Sequence, residues 1–123
     1  MTAIKTHDGK PRMDLLPLRA LGEVAHAFTS GLERGRKPWD WMRGADWSLY
    51  LAASLRHIEA FQNREDRDTH SGCPALAHAI ASLLILLSYQ LLGIGNDDRP
   101  RSGDLHQEAT GCPGDCGTGW SKN

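Results

Sequence analysis

The feature that most constrains this chain is an apolar stretch running from just after Ser71 to about Leu92. Ser71 is a candidate N-cap, Pro74 suits a first helical turn, and Gly93 suits a helix end. The apolar side chains fall on nearly every side of the predicted helix: Leu76, Ile80, Leu83, Leu84, Ile85, Leu86, Leu87, Leu91 and Leu92. A helix that is apolar all round must be covered all round.

Two shorter helices are predicted before this stretch. Apolar residues recur at helical spacing over about 17–33, and again from Trp47 to about residue 64, with Asp46 as a candidate cap. Two helices cannot surround the third, so we expect copies of the chain to pack together as a dimer or tetramer. A transmembrane span is the alternative, since the length suffices. The polar residues inside the stretch favour a buried helix and no membrane: His78, Ser82, Ser88 and Gln90.

The division of the chain follows from the same patterning. Residues 1–94 form one predicted all-α domain, whereas 95–123 are rich in Gly, Pro, Asp and Ser and are predicted to be an irregular or disordered tail. Only Leu105 and Trp120 could anchor that tail. Three cysteines make no disulfide framework, and Cys112 and Cys116 lack partners at zinc-site spacing.

Charge and composition narrow the functional classes. The net charge of −1 provides no general attraction to nucleic acid, and no continuous basic helix is present, so we expect no nucleic-acid partner. The first residues are polar and charged without an apolar run, which gives no sign of a signal peptide. A cytoplasmic location is therefore expected.

An acidic turn follows the second predicted helix. Glu65, Asp66 and Asp68 place three carboxylates within four residues. If the helix extends that far, Glu65 and Asp68 lie side by side and can share a divalent ion. Carboxylate oxygens are the ligands that Mg²⁺ and Mn²⁺ prefer, so the turn is a candidate metal site. A solvated acidic loop is the other interpretation.

Two histidines differ in their distance from this turn. His57 shares a helix face with Asp68, but on a straight helix it lies about 16 Å away, too far to share a ligand role. We expect His57 instead to orient a neighbouring group, contact the substrate or serve the site of another subunit. His78 begins the third helix, which should run antiparallel to the second. We therefore expect His78 beside the acidic turn. Either histidine could instead be a core residue with satisfied hydrogen bonds.

Cations and tryptophans supply candidate substrate contacts. Lys5, Lys10 and Arg12 crowd a turn at Asp8-Gly9 and can neutralise a polyphosphate. Trp39 and Trp41 can stack on a purine ring or plug the end of the bundle. A second basic block either binds phosphate or solvates the surface: Arg34, Arg36 and Lys37.

The order of these motifs resembles a known family. The series runs from residue 4 to about 92: Lys5-x-x-Asp8-Gly-Lys10-Pro-Arg12, Leu15-Leu16-Pro17, Ala20-Leu21-x-Glu23-Val24-Ala25, Gly31, Asp40-Trp41, Gly44, Arg56-His57, Glu65-Asp66-x-Asp68, Ser71-Gly72 and Leu76-Ala77-His78-Ala79. It is similar to the phage dATP/dGTP diphosphohydrolases, the MazZ-like branch of the all-α MazG/HisE pyrophosphohydrolase superfamily. The chain departs from the family at four places, where members often carry other residues: Arg34-Gly35, Asp40, Ala75 and Ser82.

The resemblance implies an oligomeric MazG-like helical bundle and Mg²⁺ or Mn²⁺ as cofactor. It implies hydrolysis of dGTP or dATP to the monophosphate and pyrophosphate, which supplies dGMP for synthesis of a modified nucleotide. By position it places metal binding at the acidic turn and His78, and substrate binding at the amino-terminal motif and His57. The implied site residues are Glu65, Asp66, Asp68 and His78 for the metal, and Lys5, Asp8, Lys10, Arg12 and His57 for the substrate.

The mechanism expected from these parts is attack of a metal-bound water on the α-phosphorus. Glu65 or Asp66 would orient or deprotonate that water. Lys10 and Arg12 would offset charge on the leaving phosphates, and Trp41 would contact the base. The alternative is a non-catalytic nucleotide-binding or interaction module.

Overall fold

The structure, a computed structural model, describes residues 3–6 and 8–103. This part of the chain contains three α-helices and no strand: α1 (Leu18–Glu33), α2 (Trp47–Gln62) and α3 (Ala75–Leu92). Short 3-10 helices precede α1 and α2, at Met13–Leu15 and Asp40–Arg43. The predicted all-α class is confirmed, whereas the MazG-like arrangement and the oligomer stay predictions.

Helix α3 lies at the centre and packs against both α1 and α2. Small side chains dominate its contact with α1, where Val24 and Ala27 meet Ala77 and Ala81, and Phe28 covers their edge. Small residues let two helix axes approach closely, because the distance between packed helices depends on the side chains at the contact.

The start of α2 is capped by a residue far away in the sequence. Asp46 occupies the N-cap position, but its side chain makes no capping hydrogen bond and instead accepts one from the Asn96 amide. The Asp98 carboxylate accepts hydrogen bonds from the Ser48 backbone N–H at 2.9 Å and from the Ser48 hydroxyl at 2.5 Å. The predicted capping role of the Asp46 side chain is therefore wrong, because a distant carboxylate satisfies the free N–H group.

The start of α3 also differs from the prediction. The helix begins at Ala75 with Pro74 at its N-cap position and no side-chain cap. Ser71 is not the cap, because its hydroxyl contacts His78 and accepts a hydrogen bond from the Cys73 N–H. Gly93, in a left-handed conformation with φ 68°, ends the helix as predicted.

After α3 the chain returns to the start of α2. We call residues 94–99 the return segment. Asn96 pairs with the backbone around Asp46, and Arg99 lies over the Trp47 ring at 5.1 Å. The proposed domain division at residue 94 stays a prediction. The tail residues Leu105, Cys112, Cys116 and Trp120 lie outside the described residues.

One side of α3 carries an unpartnered apolar stripe. Its members are 39–74% exposed: Leu76, Ile80, Leu83, Leu84, Leu87 and Leu91. A second group on α2 is exposed as well, namely Leu51, Leu55, Ile58 and Phe61. Phe61 and Leu76 line one shallow pocket, so the two groups adjoin there. By length and composition alone α3 could also cross a membrane, a property that core helices of soluble proteins share.

Candidate active site

A cavity of about 850 Å³ lies between the three helices, within the size range of small-molecule sites. Its lining includes basic, acidic, histidine and aromatic residues. The charged and histidine members are Arg34, Arg36, Lys37, Asp40, Arg56, His57, Asp68 and His78. The aromatic members are Phe28, Trp39, Trp41, Tyr50 and Tyr89.

The loop between α2 and α3 carries Asp68 back to the beginning of α3. Helix α2 ends at Gln62, and the chain then folds so that the Ala75 N–H donates to the Asp66 carbonyl at 2.8 Å. The Asp68 N–H donates to the Cys73 carbonyl at 2.8 Å. Asp68 therefore does not continue α2, and the E-x-x-D arrangement on one helix face does not form.

The Asp68 carboxylate is held within its own loop. Oδ2 accepts hydrogen bonds from the N–H groups of Ser71 at 2.8 Å and His70 at 3.1 Å. His78 Nε2 lies 3.9 Å from the same oxygen. Burial alone would raise the pKa of Asp68, but the hydrogen bonds from Ser71 and His70 and the nearby His78 bring it below its ordinary value. Asp68 is thus a fixed negative charge at neutral pH.

His57 and His78 form a stacked pair beside this carboxylate. Their ring centroids are 5.0 Å apart with the planes inclined by 22°. His78 Nε2 lies 2.6 Å from the Ser71 hydroxyl oxygen. Burial lowers the pKa of both histidines below the ordinary value, more strongly than Asp68 raises it. Both rings are consequently neutral near pH 7, and a neutral imidazole can accept a proton as a general base.

The expectation that His78 lies beside the acidic turn is confirmed, whereas the expected separation of His57 from Asp68 is wrong. Substrate binding by His57 stays a prediction. The separation of about 16 Å assumed that α2 runs straight on to Asp68. Because α2 ends at Gln62 and the loop folds back, His57 stacks on His78, and the charge of Asp68 acts on the pKa of His57. All three side chains line one cavity.

The acidic turn is divided between two surfaces. Asp68 lines the large cavity, Asp66 lines the shallow pocket with Phe61, and Glu65 is exposed and lines neither. Across residues 3–6 and 8–103, no group of three or more His, Cys, Asp or Glu side chains is placed to hold a metal ion. Of the four expected ligands, the structure brings together only Asp68 and His78. The catalytic and metal roles of Glu65 and Asp66 stay predictions.

Cations gather near the histidines. Arg34 and Arg56 both line the cavity, and their positive charges help lower the pKa values of His78 and His57 respectively. Arg36 and Lys37 line it as well. The second basic block of the sequence therefore belongs to the cavity. Arg56 was missed as a binding residue, although it precedes a histidine that was singled out.

The amino-terminal cations lie elsewhere. Lys5, Asp8, Lys10 and Arg12 do not line the cavity, and Arg12 donates two hydrogen bonds to Asp14, at 2.7 and 2.8 Å. Asp14 thus engages two of the five N–H donors of the Arg12 guanidinium group. Substrate binding by this segment stays a prediction.

The far end of the cavity is aromatic. Tyr89 is fully buried; its hydroxyl donates to the Trp41 carbonyl at 2.6 Å and its ring meets the edge of Tyr50 at 5.4 Å. Eleven residues of α3 separate His78 from Tyr89, or about 16 Å at 1.5 Å per residue. Sequence reasoning missed Tyr89, although a tyrosine in an aliphatic helix needs a hydrogen-bond partner and usually marks a polar contact.

Comparisons with known proteins agree with the resemblance read from the sequence. The family model for the dATP/dGTP diphosphohydrolase N-terminal region matches residues 2–99. A dATP/dGTP diphosphohydrolase of Salmonella phage PMBT28 is 31% identical over 110 residues, which cover 89% of this chain. The matched part spans about a third (35%) of that relative's length. No solved structure matches. The chain therefore belongs to the dATP/dGTP diphosphohydrolase N-terminal family.

Proposed function

We propose that the chain hydrolyses the purine deoxynucleoside triphosphates dGTP and dATP to the monophosphate and pyrophosphate. The observation that carries the proposal is the polarity of the cavity. One end has a fixed carboxylate, two neutral histidines, Arg34 and Arg56, and the other end has the rings of Trp41, Tyr50 and Tyr89. A nucleotide has the same polarity, with an anionic triphosphate at one end and a flat apolar base at the other.

The substrate is accordingly oriented along α3. Its phosphates lie toward Arg34 and Arg56, which can each form paired hydrogen bonds to phosphate oxygens. Its base lies toward Trp41, whose partly exposed ring can stack on a purine, while the hydroxyl of the fully buried Tyr89 holds the Trp41 carbonyl. Family membership supports this assignment, because the relative from the Salmonella phage carries the name of that activity.

A divalent cation, Mg²⁺ or Mn²⁺, is proposed as cofactor. The donor set of one chain fits an ion that is shared with the substrate, because Asp68 supplies one carboxylate and Mg²⁺ commonly takes one or two carboxylates plus substrate phosphates. The Asp68 Oδ2 atom is engaged by backbone N–H groups, so Oδ1 is the oxygen left for the ion. When bound, the ion would neutralise phosphate charge and acidify a coordinated water.

The other steps of the hydrolysis are assigned to side chains that line the cavity. The neutral His57 imidazole accepts a proton from the attacking water, and Arg34 and Arg56 offset the charge that develops on the leaving pyrophosphate. His78 is held by Ser71 and orients His57 through the stacked contact. The sequence predicted Glu65 or Asp66 as the general base. Neither residue lines this cavity, so either would have to act in the active site of another subunit.

Incubation of the chain with dGTP and Mn²⁺, followed by chromatography, tests the proposal. We expect dGMP and pyrophosphate in equal amounts. Intact dGTP, or orthophosphate as the only released phosphate, would refute it. Asp68→Asn should lower kcat/KM at least a hundredfold, whereas the matched exchange Asp97→Asn should not, because Asp97 is exposed and pairs with Arg99.

The same assay decides which side chain is the general base that takes the proton from the attacking water. Glu65→Gln and Asp66→Asn should retain activity if His57 accepts the proton, whereas His57→Gln should lose most of it. Loss of activity in Glu65→Gln or Asp66→Asn, with activity retained in His57→Gln, would instead assign the general base to the acidic turn.

A nucleotide-binding module without turnover is the second candidate function. It is favoured by the lack of a complete metal-binding group within the described part of one chain. Binding of dGTP that is insensitive to Mn²⁺ and to Asp68→Asn, with no release of pyrophosphate, would support it.

Self-association is proposed for the apolar stripe of α3, because exposed leucines at helical spacing are the usual mark of a helix–helix interface. The pair Leu83→Glu and Leu87→Glu should convert a dimer or tetramer into a monomer, measured by light scattering after size exclusion. A native chain that is already monomeric in water would contradict this.

The cellular setting is proposed from the family alone. We infer a cytoplasmic enzyme, in the host cytoplasm if phage-encoded, that supplies dGMP for synthesis of a modified nucleotide and has no nucleic-acid or membrane partner.

A further inference from the structure

The loop at the aromatic end of the cavity places a carboxylate between two tryptophans. Trp39, Asp40 and Trp41 follow one another, and all three line the cavity. Trp39 has φ 65° and remains 71% exposed. A bulky residue seldom adopts this left-handed conformation, and such strain recurs where a ligand is held.

The Asp40 carboxylate retains capacity to accept hydrogen bonds. Within residues 3–6 and 8–103, its side chain pairs with Arg43 alone, whose Nε lies 3.2 Å from Oδ1. The Arg43 side chain is 79% exposed and that of Asp40 is 38% exposed, so water screens this single contact and it is weak. Among the described residues no hydrogen bond or ion pair engages Oδ2.

The negative charge of the Asp40 carboxylate excludes phosphate as its ligand. Arg34 and Arg56 lie near His78 and His57, where the proposed function places the triphosphate, and Arg36 and Lys37 line the cavity as well. A carboxylate repels phosphate but accepts hydrogen bonds from N–H groups. Asp40 directly precedes Trp41 in the chain, both residues line the cavity, and a purine would stack on the indole of Trp41. The ligand of Asp40 is therefore the edge of a base that carries N–H donors.

We propose that Asp40 recognises the nucleobase and selects guanine over adenine. Guanine presents two donors side by side, N1–H and the N2 amino group, and a carboxylate can accept both. Adenine presents the N1 lone pair instead, which the carboxylate repels. A site built around a hydrogen bond rejects the analogue that cannot make it far more strongly than an apolar pocket rejects an isostere. This inference rests on the proposed function for the placement of the base.

Binding without turnover tests the inference directly. Calorimetric titration of the full chain with dGMP, dAMP and dIMP, without added metal, requires no hydrolysis. Hypoxanthine in dIMP keeps N1–H and lacks the N2 amino group. We expect dGMP to bind at least tenfold more tightly than dAMP, with dIMP between them.

The substitution Asp40→Asn should lower the affinity for dGMP at least tenfold. It should leave dAMP binding unchanged or tighter, because an amide can donate to N1 and accept from the N6 amino group of adenine. Asp46→Asn is the matched control. Asp46 lies in the same loop region outside the cavity lining, and asparagine keeps the oxygen that accepts from Asn96. The control should leave all three affinities within twofold.

The outcomes separate the two proposals. Equal weakening of dGMP and dAMP by Asp40→Asn, or a native chain that does not distinguish them, overturns the reading of guanine by Asp40. Selective dGMP binding without pyrophosphate release from dGTP supports that reading and overturns the hydrolase. A native chain that binds neither nucleotide overturns only the recognition of guanine by Asp40, and the assay with dGTP and Mn²⁺ then decides the hydrolase.

Discussion

Among the described glycines, Gly95 is the one at which substitution by alanine should lower the free energy of unfolding most. It has φ 82°, and a Cβ placed on it would collide with the backbone carbonyl oxygen of Ala45. Gly93, two residues earlier, has φ 68° and would present its Cβ to open space. Gly95→Ala and Gly93→Ala therefore share the cost of a left-handed alanine and differ in the collision.

The magnitude follows from the hydrogen bonds that the collision would break. A left-handed alanine costs about 1–2 kcal/mol in either variant. In Gly95→Ala the return segment must also move away from α2. That movement removes three bonds, Asn96 N–H to the Ala45 carbonyl (3.1 Å), Trp47 N–H to the Asn96 carbonyl (2.9 Å) and Trp47 Nε1–H to the Ile94 carbonyl (2.9 Å). At about 1 kcal/mol each, the extra loss of unfolding free energy is about 3 kcal/mol.

Urea unfolding followed by tryptophan fluorescence measures this difference. With a urea dependence of about 1.5 kcal/mol per molar, the midpoint of Gly95→Ala should lie about 2 M below that of Gly93→Ala. Loss of the folded state without urea in Gly95→Ala alone would agree equally well. Two midpoints within about 0.5 M of each other would refute the claim that the return segment is packed tightly against Ala45.

Two further predictions concern the cavity. The free energy of unfolding of the metal-free chain should fall as the pH drops below about 6.5, because the unfolded histidines then bind protons that burial of His57 and His78 disfavours in the folded state. His57→Gln should reduce this pH dependence, and an equal dependence in both proteins would contradict the assignment. Tyr89→Phe should cost about 1 kcal/mol in urea unfolding, because it removes the hydroxyl bond to the Trp41 carbonyl. It should also raise KM for dGTP more than it lowers kcat, and a lower kcat at unchanged KM would show that Tyr89 does not position the base.

Much of the helical framework could be predicted because its causes are local. Apolar residues at a spacing of 3.6 define α1 and α2 within a few residues, and Gly93 ends α3 because glycine adopts the left-handed conformation without penalty. The meeting of His78 with Asp68 was predictable too, since a short connection forces neighbouring helices to run antiparallel.

The membership of the site could not be predicted in the same way. A stretch such as 62–74 has no periodicity that fixes where its backbone turns. A prediction that extended α2 placed Glu65 with Asp68 and placed His57 too far from Asp68 to share a ligand role, leaving His57 only as a substrate contact. The loop instead folds back through backbone hydrogen bonds, which leaves Glu65 exposed and brings His57 to the cavity.

What the sequence by itself determined, then, is the helical class, the order of the helices and the family to which the ordered motifs belong. Only the tertiary structure decided which charges meet in the cavity and that Asp98 caps a helix 50 residues earlier. The reason is physical. Helix formation depends on neighbours three and four residues apart, whereas a site depends on how loops close, and loop closure is fixed by contacts between residues distant in the chain.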